Sequence, residues 1–173
     1  MGEDRRLLKY KYGGSPANEE SKKTFVKFEK ERGDGDYDIF TFECDDEPHP
    51  DLVKALEAMA PHLRENCEID DSRKVTVKSV TCTHKQMEGF EVHGLVISGL
   101  RELRNCNSPM SLNSPHKTDI PYADDQDADD MNLTSECLDD LAVLEREVFA
   151  YVDGKRAQLE LGLEEPPKEN HAA

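Results

Sequence analysis

Residues 23–44, KTFVKFEKERGDGDYDIFTFEC, contain the clearest strand pattern of this chain. Two runs with the composition of β-strands, 23–31 and 37–44, flank the stretch RGDGD, whose glycines and aspartates tolerate the positive φ angles of a tight turn. In the second run, Phe40, Phe42 and Cys44 alternate along the chain and therefore share one face. The pattern predicts a β-hairpin.

Four further strands are predicted around this hairpin. Residues 5–12 precede it, and residues 74–83, 91–103 and 108–115 follow it. The apolar alternation in 74–83 shifts phase between Val77 and Val80, which predicts a β-bulge. Gly94 and Gly99 interrupt the apolar run in 91–103, and glycines in such positions indicate a bulge or a close approach of other atoms.

Two segments carry helical periodicity. After the prolines of PHP, a helix is predicted from about Asp51, with Leu52, Leu56, Met59 and Leu63 in one stripe and Pro61 kinking or closing its last turn. In 134–157, Thr134 or Ser135 suits the N-cap. The apolar face predicted there comprises Leu138, Leu141, Ala142, Leu144, Val148, Phe149 and Val152.

This order of elements predicts an α+β fold: an antiparallel sheet of about five to six strands with two helices on one face. We divide the chain into an N-terminal strand and flexible connector (1–22), a single α+β domain (23–161) with an acidic loop (119–132), and a disordered tail (162–173). Exposed edge strands of such a sheet are compatible with a homodimer.

The charge of the chain is strongly negative and uneven. The net charge is −16, of which residues 119–173 carry −12. Such a chain is repelled by nucleic acid and anionic membranes and attracted to basic protein surfaces. The nearest lysine cluster, Lys22, Lys23, Lys27 and Lys30, is interrupted by Glu29 and Glu31. We therefore expect a protein partner with a basic surface and no direct nucleic-acid binding.

Cellular location follows from what the chain lacks. No apolar run suits a signal peptide or a membrane span. Five cysteines, an odd number, fit free thiols better than a disulfide framework. These features predict a cytoplasmic protein without a membrane partner.

The acidic run 124–136, DDQDADDMNLTSE, has the acidic spacing of a calcium-binding EF-hand loop. Asp125, Asp127, Asp129 and Glu136 fall at positions 1, 3, 5 and 12. Asp130 stands where that loop needs glycine for its sharp turn, and no helix enters the run. We therefore prefer a solvated acidic loop or an acidic docking surface, and predict no bound metal.

Other chemistry-bearing residues lack a recognisable motif. Cys82, His84 and His93 are able to meet across a hairpin, but zinc sites show paired ligands at each end, so we interpret them as a half-buried cysteine and two exposed histidines. His49 precedes a helix start and is interpreted as a turn residue or cap. Without a P-loop, a G-x-S-x-G or a G-x-G-x-x-G motif, we predict no catalytic residue, no cofactor and no enzyme.

Three stretches, PHPDLVKALEAMAPHL, HGLVISGLREL and VFAYVDGKRAQLEL, resemble a group of small acidic proteins encoded by bacteriophages and prophages. The resemblance covers about residues 23–161. It implies a phage-encoded accessory protein in the host cytoplasm, and it carries over no functional residue.

The preferred hypothesis is a non-enzymatic interaction protein that inhibits or modulates a nucleic-acid-handling or defence protein, because its carboxylates stand where phosphates bind. The partner-binding residues would be Asp124, Asp125, Asp127, Asp129, Asp130, Asp139 and Asp140. One alternative is a binder that sequesters a nucleotide signal through Arg101, Arg104 and Lys117. Another is an accessory protein of phage DNA replication or recombination that contacts single strands through Tyr10, Tyr12 and Phe25.

Overall fold

The computed structural model describes residues 4–13, 23–120 and 132–157. Within them, seven strands form one antiparallel sheet and three helices pack beside it, so the α+β prediction is confirmed. The elements are β1 (Arg5–Tyr12), β2 (Thr24–Glu31), β3 (Tyr37–Cys44), α1 (Pro50–Glu57), α2 (Ala60–Asn66), β4 (Val75–Met87), β5 (Phe90–Arg101), β6 (Met110–Asn113), β7 (Lys117–Thr118) and α3 (Ser135–Val152).

The strands are ordered β3-β2-β1-β4-β5-β6, and the short β7 also pairs with β5. The predicted β2–β3 hairpin is confirmed, and its turn contains Gly33 and Gly35 at φ +91° and +89°. β1, which we assigned to an N-terminal segment, pairs with both β2 and β4 and so lies inside the sheet.

The predicted bulge in β4 is confirmed as a register shift between Val77 and Ser79. A second register shift, between Leu7 and Lys9 in β1, was not predicted. Close approach at Gly99 is also confirmed, since a Cβ there would overlap the backbone oxygen of Thr76. These irregularities set which side chains of β1 and β4 face away from the helices.

The first predicted helix is divided into α1 and α2 at Ala58 and Met59, just before Pro61. Pro61 has no backbone N–H to donate to the carbonyl oxygen of Glu57, which accounts for the break. The predicted apolar stripe is buried throughout. His49 acts as the cap, since its Nδ1 accepts a hydrogen bond from Asp51 N at 3.2 Å.

The second predicted helix is α3, capped by Thr134, whose Oγ1 accepts a bond from Cys137 N at 3.1 Å. The prediction was wrong for Ala142, which is exposed, and it missed Tyr151, which is 1% exposed. The buried residues of α3 therefore form a stripe that is displaced to one side of the predicted apolar face. The Tyr151 hydroxyl donates to Asp46 O at 2.6 Å, which lets a polar aromatic residue enter the core.

The core lies between the helices and one face of the sheet. Side chains from β1, β2, β4 and β5 meet side chains from all three helices there, among them Tyr10, Val26, Val80, Ile97, Leu63 and Val148. No helix in the described part of the chain is long and apolar enough to cross a membrane.

Candidate functional site

The strongest candidate surface is the sheet face that points away from the helices. Tyr10 on β1 pairs with Val26 and Val80, and all three are fully buried in the core. Since side chains alternate along a strand, Lys9 and Lys11 on either side of Tyr10 project to the opposite face. This face has no described helix packed on it.

Register places lysines from neighbouring strands side by side on this face. Lys9 lies directly opposite Lys27 of β2 on one side and Thr81 of β4 on the other. Lys11 lies opposite Phe25, which is half-buried. Adjacent strands stand about 4.8 Å apart, and residues two apart on one strand about 6.8 Å, so these ammonium groups occupy one compact area.

A fourth lysine, Lys78, joins them at the bulge of β4. Its Nζ lies 3.2 Å from the position that a Cβ on Gly13 would take, so the ammonium reaches the end of β1. We call Lys9, Lys11, Lys27 and Lys78, together with Phe25, the lysine face. Among the residues that the structure describes, none of these four lysines has an ion-pair partner.

Two acidic groups beside the lysine face, Glu29 and Glu91, contact one arginine, whereas Glu43 of β3 lies directly opposite Phe25 and is exposed. Glu29, two residues from Lys27, lies 3.5 Å from Arg6 Nη1. The same nitrogen lies 2.6 Å from Glu91 Oε1, and the Arg6 guanidinium stacks 4.0 Å from the centre of the Tyr37 ring. Glu29, which interrupts the lysines in the sequence, therefore shares the positive charge of Arg6 with Glu91 in the folded chain.

The predicted ligand residues Arg101 and Arg104 line one cleft of about 650 Å³ together with Arg73 and Lys74. We call these four residues the arginine cleft. Asp71 also lines it and forms an ion pair with Arg101. Lys117 is not part of it, because Lys117 pairs with Leu95, about 20 Å back along β5 at 3.4 Å per residue.

The lysine face and the arginine cleft are connected. A second cleft, of about 370 Å³, is lined by Lys78, Thr76 and Leu100 and by the loop that follows β5. Glu102 and Leu103 of that loop line both clefts. The two clefts therefore share a border, at which the acidic side chain of Glu102 lies between Lys78 and the arginine cleft.

The predicted acidic docking residues are only partly described. Asp124, Asp125, Asp127, Asp129 and Asp130 lie outside the described residues, as do three of the four acids of the calcium hypothesis. Glu136 and Asp139 are exposed on the first turns of α3. Asp140 is engaged within the fold, because its Oδ2 accepts a hydrogen bond from the buried His62 Nε2 at 2.7 Å.

The structure separates Cys82 from the two histidines beside which it was considered. Cys82 is buried rather than half-buried, and burial raises the pKa of its thiol to about 12. The rings of His84 and His93 lie 5.3 Å apart, and each residue is half-buried rather than exposed. Glu91, and not Cys82, is the third residue of the group, with a carboxylate oxygen within 4.8 Å of a ring nitrogen of each histidine.

Of the aromatic residues proposed to contact nucleic acid, Tyr10 is fully buried and Tyr12 packs against the core. That expectation was wrong for Tyr10, and Tyr12 is half-buried on the same side of β1, toward the helices. Phe25 alone of the three lies on the lysine face.

Comparison of the chain with models of protein families, with curated protein sequences and with solved structures finds no match. The resemblance to bacteriophage proteins therefore stays a prediction, and function has to be argued from the chain itself.

Proposed function

We propose that this protein is a non-enzymatic binding protein that holds single-stranded nucleic acid on its lysine face. One observation carries the proposal: four lysines from three adjacent strands share a sheet face, and none of them is ion-paired with a described residue. Phosphates are the ligands that clustered lysines suit, and charge neutralisation dominates the affinity of nucleic-acid binding.

The electrostatic repulsion between lysines on neighbouring strands supports an anionic ligand. Like charges directly opposite on neighbouring strands are destabilising, and Lys9 and Lys27 occupy such positions. A bound phosphate chain would offset that repulsion.

The composition of the face favours a single strand over another anion. Phe25 lies beside Lys11 and two residues before Lys27, which places an aromatic ring next to two cations. Proteins that bind single strands combine such rings, on which bases stack, with a positively charged surface along the backbone. An acidic peptide would use the lysines and leave the ring without a role.

The net charge of −16 opposes this binding at long range. At physiological ionic strength the Debye length is about 8 Å, so distant acids are screened while lysines in contact with phosphate act fully. We therefore expect modest affinity, with binding governed by the local surface.

Fluorescence anisotropy with short oligothymidylate and oligouridylate tests the proposal. Contacts to about three or four phosphates give a plot of log K against log salt with a slope of roughly −2 to −3 for a single strand. Lys9→Gln/Lys27→Gln should lower affinity at least tenfold. Lys54→Gln/Arg146→Gln removes the same charge from exposed positions on helices α1 and α3 and should change it little.

Three results would contradict the proposal: no binding at low salt, equal loss in both double variants, or binding of an acidic peptide such as oligoglutamate at equal strength. The last result would assign the lysine face to a protein partner.

The arginine cleft favours a second candidate function, the binding of a small anion such as a nucleotide. The cleft volume of about 650 Å³ falls within the range of small-molecule sites. The planar guanidinium groups of Arg101 and Arg104 offer hydrogen-bond donors for phosphate. A thermal-shift screen against nucleotides tests it. A hit that Arg104→Gln abolishes and Lys9→Gln/Lys27→Gln leaves intact would support it.

The acidic docking hypothesis has its own test. Replacing Asp124, Asp125, Asp127, Asp129 and Asp130 with asparagine should weaken capture of a basic protein partner without lowering the melting temperature. Unchanged capture would remove these residues from the interaction.

A further inference from the structure

We propose that His84, Glu91 and His93 form a binding site for a divalent transition-metal ion of the Zn²⁺ class. We call these three residues the histidine cluster. One ligand atom from each lies within 4.8 Å of the other two. His93 Nε2 and Glu91 Oε2 are 3.4 Å apart, and two ligands on a tetrahedral zinc ion with bonds near 2.1 Å stand about 3.4 Å apart.

The β4–β5 hairpin brings these side chains together. His84 lies directly opposite His93, and their rings meet edge to face at 5.3 Å. Glu91 precedes His93 by two residues, so its side chain projects on the same face of β5. The cluster is therefore fixed by the register of two long strands.

Each histidine donates one ring N–H to an oxygen atom of another segment of the chain. His93 Nδ1 donates to Asp119 Oδ2 at 2.8 Å, and Asp119 Oδ1 also accepts from the backbone N of His93 at 2.9 Å. His84 Nε2 donates to the carbonyl oxygen of Leu7 at 3.0 Å. Metal-binding histidines almost always donate their second ring N–H in this way, to a carboxylate or a backbone carbonyl.

These hydrogen bonds define the nitrogen atoms left for a ligand. With the protons on His93 Nδ1 and His84 Nε2, the lone pairs lie on His93 Nε2 and His84 Nδ1. His84 Nδ1 is buried and has no hydrogen-bond partner in the part of the chain that the structure describes. A buried nitrogen without a partner is costly and requires an explanation, which a metal bond supplies.

One of the two carboxylate oxygens of Glu91 is available to bind a metal ion. Its Oε1 lies 2.6 Å from Arg6 Nη1, while Oε2 is the atom facing His93. Arg6 therefore orients the carboxylate. Three protein ligands leave a fourth position for water, and the His93 side chain, 43% exposed, gives the ion access from solvent.

The donor set selects the class of metal. Imidazole nitrogens suit zinc, cobalt, nickel and copper, whereas calcium and magnesium prefer all-oxygen sites. Sulfur is absent from the cluster, because Cys82 points into the core.

Co²⁺ titration of the reduced, chelator-treated full chain tests the proposal by absorption spectroscopy. We expect one Co²⁺ per chain, with ligand-field bands and without a thiolate charge-transfer band. His84→Gln and His93→Gln should each weaken binding at least tenfold. Asp119→Asn acts through His93 and should weaken it about 10-fold to 100-fold. His49→Gln and His116→Gln are the controls and should retain binding.

Absence of Co²⁺ binding in large excess, a thiolate band, or full binding by His93→Gln would overturn the proposal. A Zn²⁺ titration of the unsubstituted chain, followed through the imidazole ¹⁵N resonances, does not depend on whether the variants fold. Shifts at His84 and His93 with none at His49, His62 and His116 are expected, and the reverse pattern would exclude the site.

Discussion

Lys9 and Lys27 lie directly opposite each other on β1 and β2, on the sheet face that points away from the helices. Opposed like charges cost about 0.2–1 kcal/mol when no anion is bound. Lys27→Gln should therefore raise the free energy of unfolding by a few tenths of a kcal/mol, and the gain should shrink with added salt.

Chemical denaturation of the two proteins at low and high salt measures this difference. Lys85→Gln is the matched control, because Lys85 is an exposed strand lysine opposite Val92 and should change stability by less than about 0.5 kcal/mol. A clear loss of stability in Lys27→Gln would show that this lysine has a stabilising partner.

The pH dependence of stability should report the contact of Arg5 with Asp153. Two N···O distances of 2.8 Å join their side chains, and this hydrogen bonding holds the pKa of the Asp153 carboxyl below its ordinary 3.8. The stabilisation is present above that ordinary value and is lost as pH falls through the lowered pKa.

Asp153→Asn should therefore cost at most about 1 kcal/mol at pH 7, since the carboxylate is largely exposed, and should cost less near pH 2, where protonation removes the ion pair. Urea unfolding at both pH values checks this. An equal deficit at both would mean that the asparagine disturbs packing and that the ion pair contributes little.

Cysteine reactivity should follow burial. Burial raises the pKa of the Cys82 thiol to about 12 and of the Cys137 thiol to about 11, whereas Cys106 is exposed. Because the thiolate is the reactive form, iodoacetamide at pH 8 should modify Cys106 first and reach Cys82 and Cys137 only on unfolding. Peptide mass spectrometry gives the order, and early modification of Cys82 in the native protein would contradict the packing of β4.

Gly99 tests the close approach of β4 and β5. A Cβ there would overlap the backbone oxygen of Thr76 and press on Leu63, so Gly99→Ala should destabilise the protein by about 1–3 kcal/mol. Ser111→Ala, at an exposed position on β6, is the control. Thermal unfolding that is the same for both variants would show that the sheet adjusts without cost.

Local patterns in the sequence predicted the local structure. Alternation in 37–44 predicted the β2–β3 hairpin, the phase shift after Val77 predicted the bulge, and Thr134 predicted the start of α3. Each of these depends on residues close together in the chain. The position of β1 between β2 and β4 depends on contacts distant in sequence, which no local pattern encodes.

The candidate sites escaped prediction for the same reason. Lys9 and Lys78 are far apart in the chain, and the bulges at Leu7–Lys9 and Val77–Ser79 decide which way their neighbours face. The charge pattern along the sequence showed that Glu29 interrupts the lysine cluster. It could not show that Glu29 contacts Arg6 in the folded chain. For the histidine cluster, facing histidines were foreseen, but the hairpin register selects Glu91 as the third residue in place of Cys82.

Binding of nucleic acid on the lysine face is tested by titration of the ¹⁵N-labelled chain with a short oligothymidylate, followed by amide chemical shifts. We expect shifts concentrated at Lys9, Lys11, Phe25, Lys27 and Thr81, with little change along α3. Shifts confined to Arg101 and Arg104, or none at low salt, would contradict binding of nucleic acid on the lysine face.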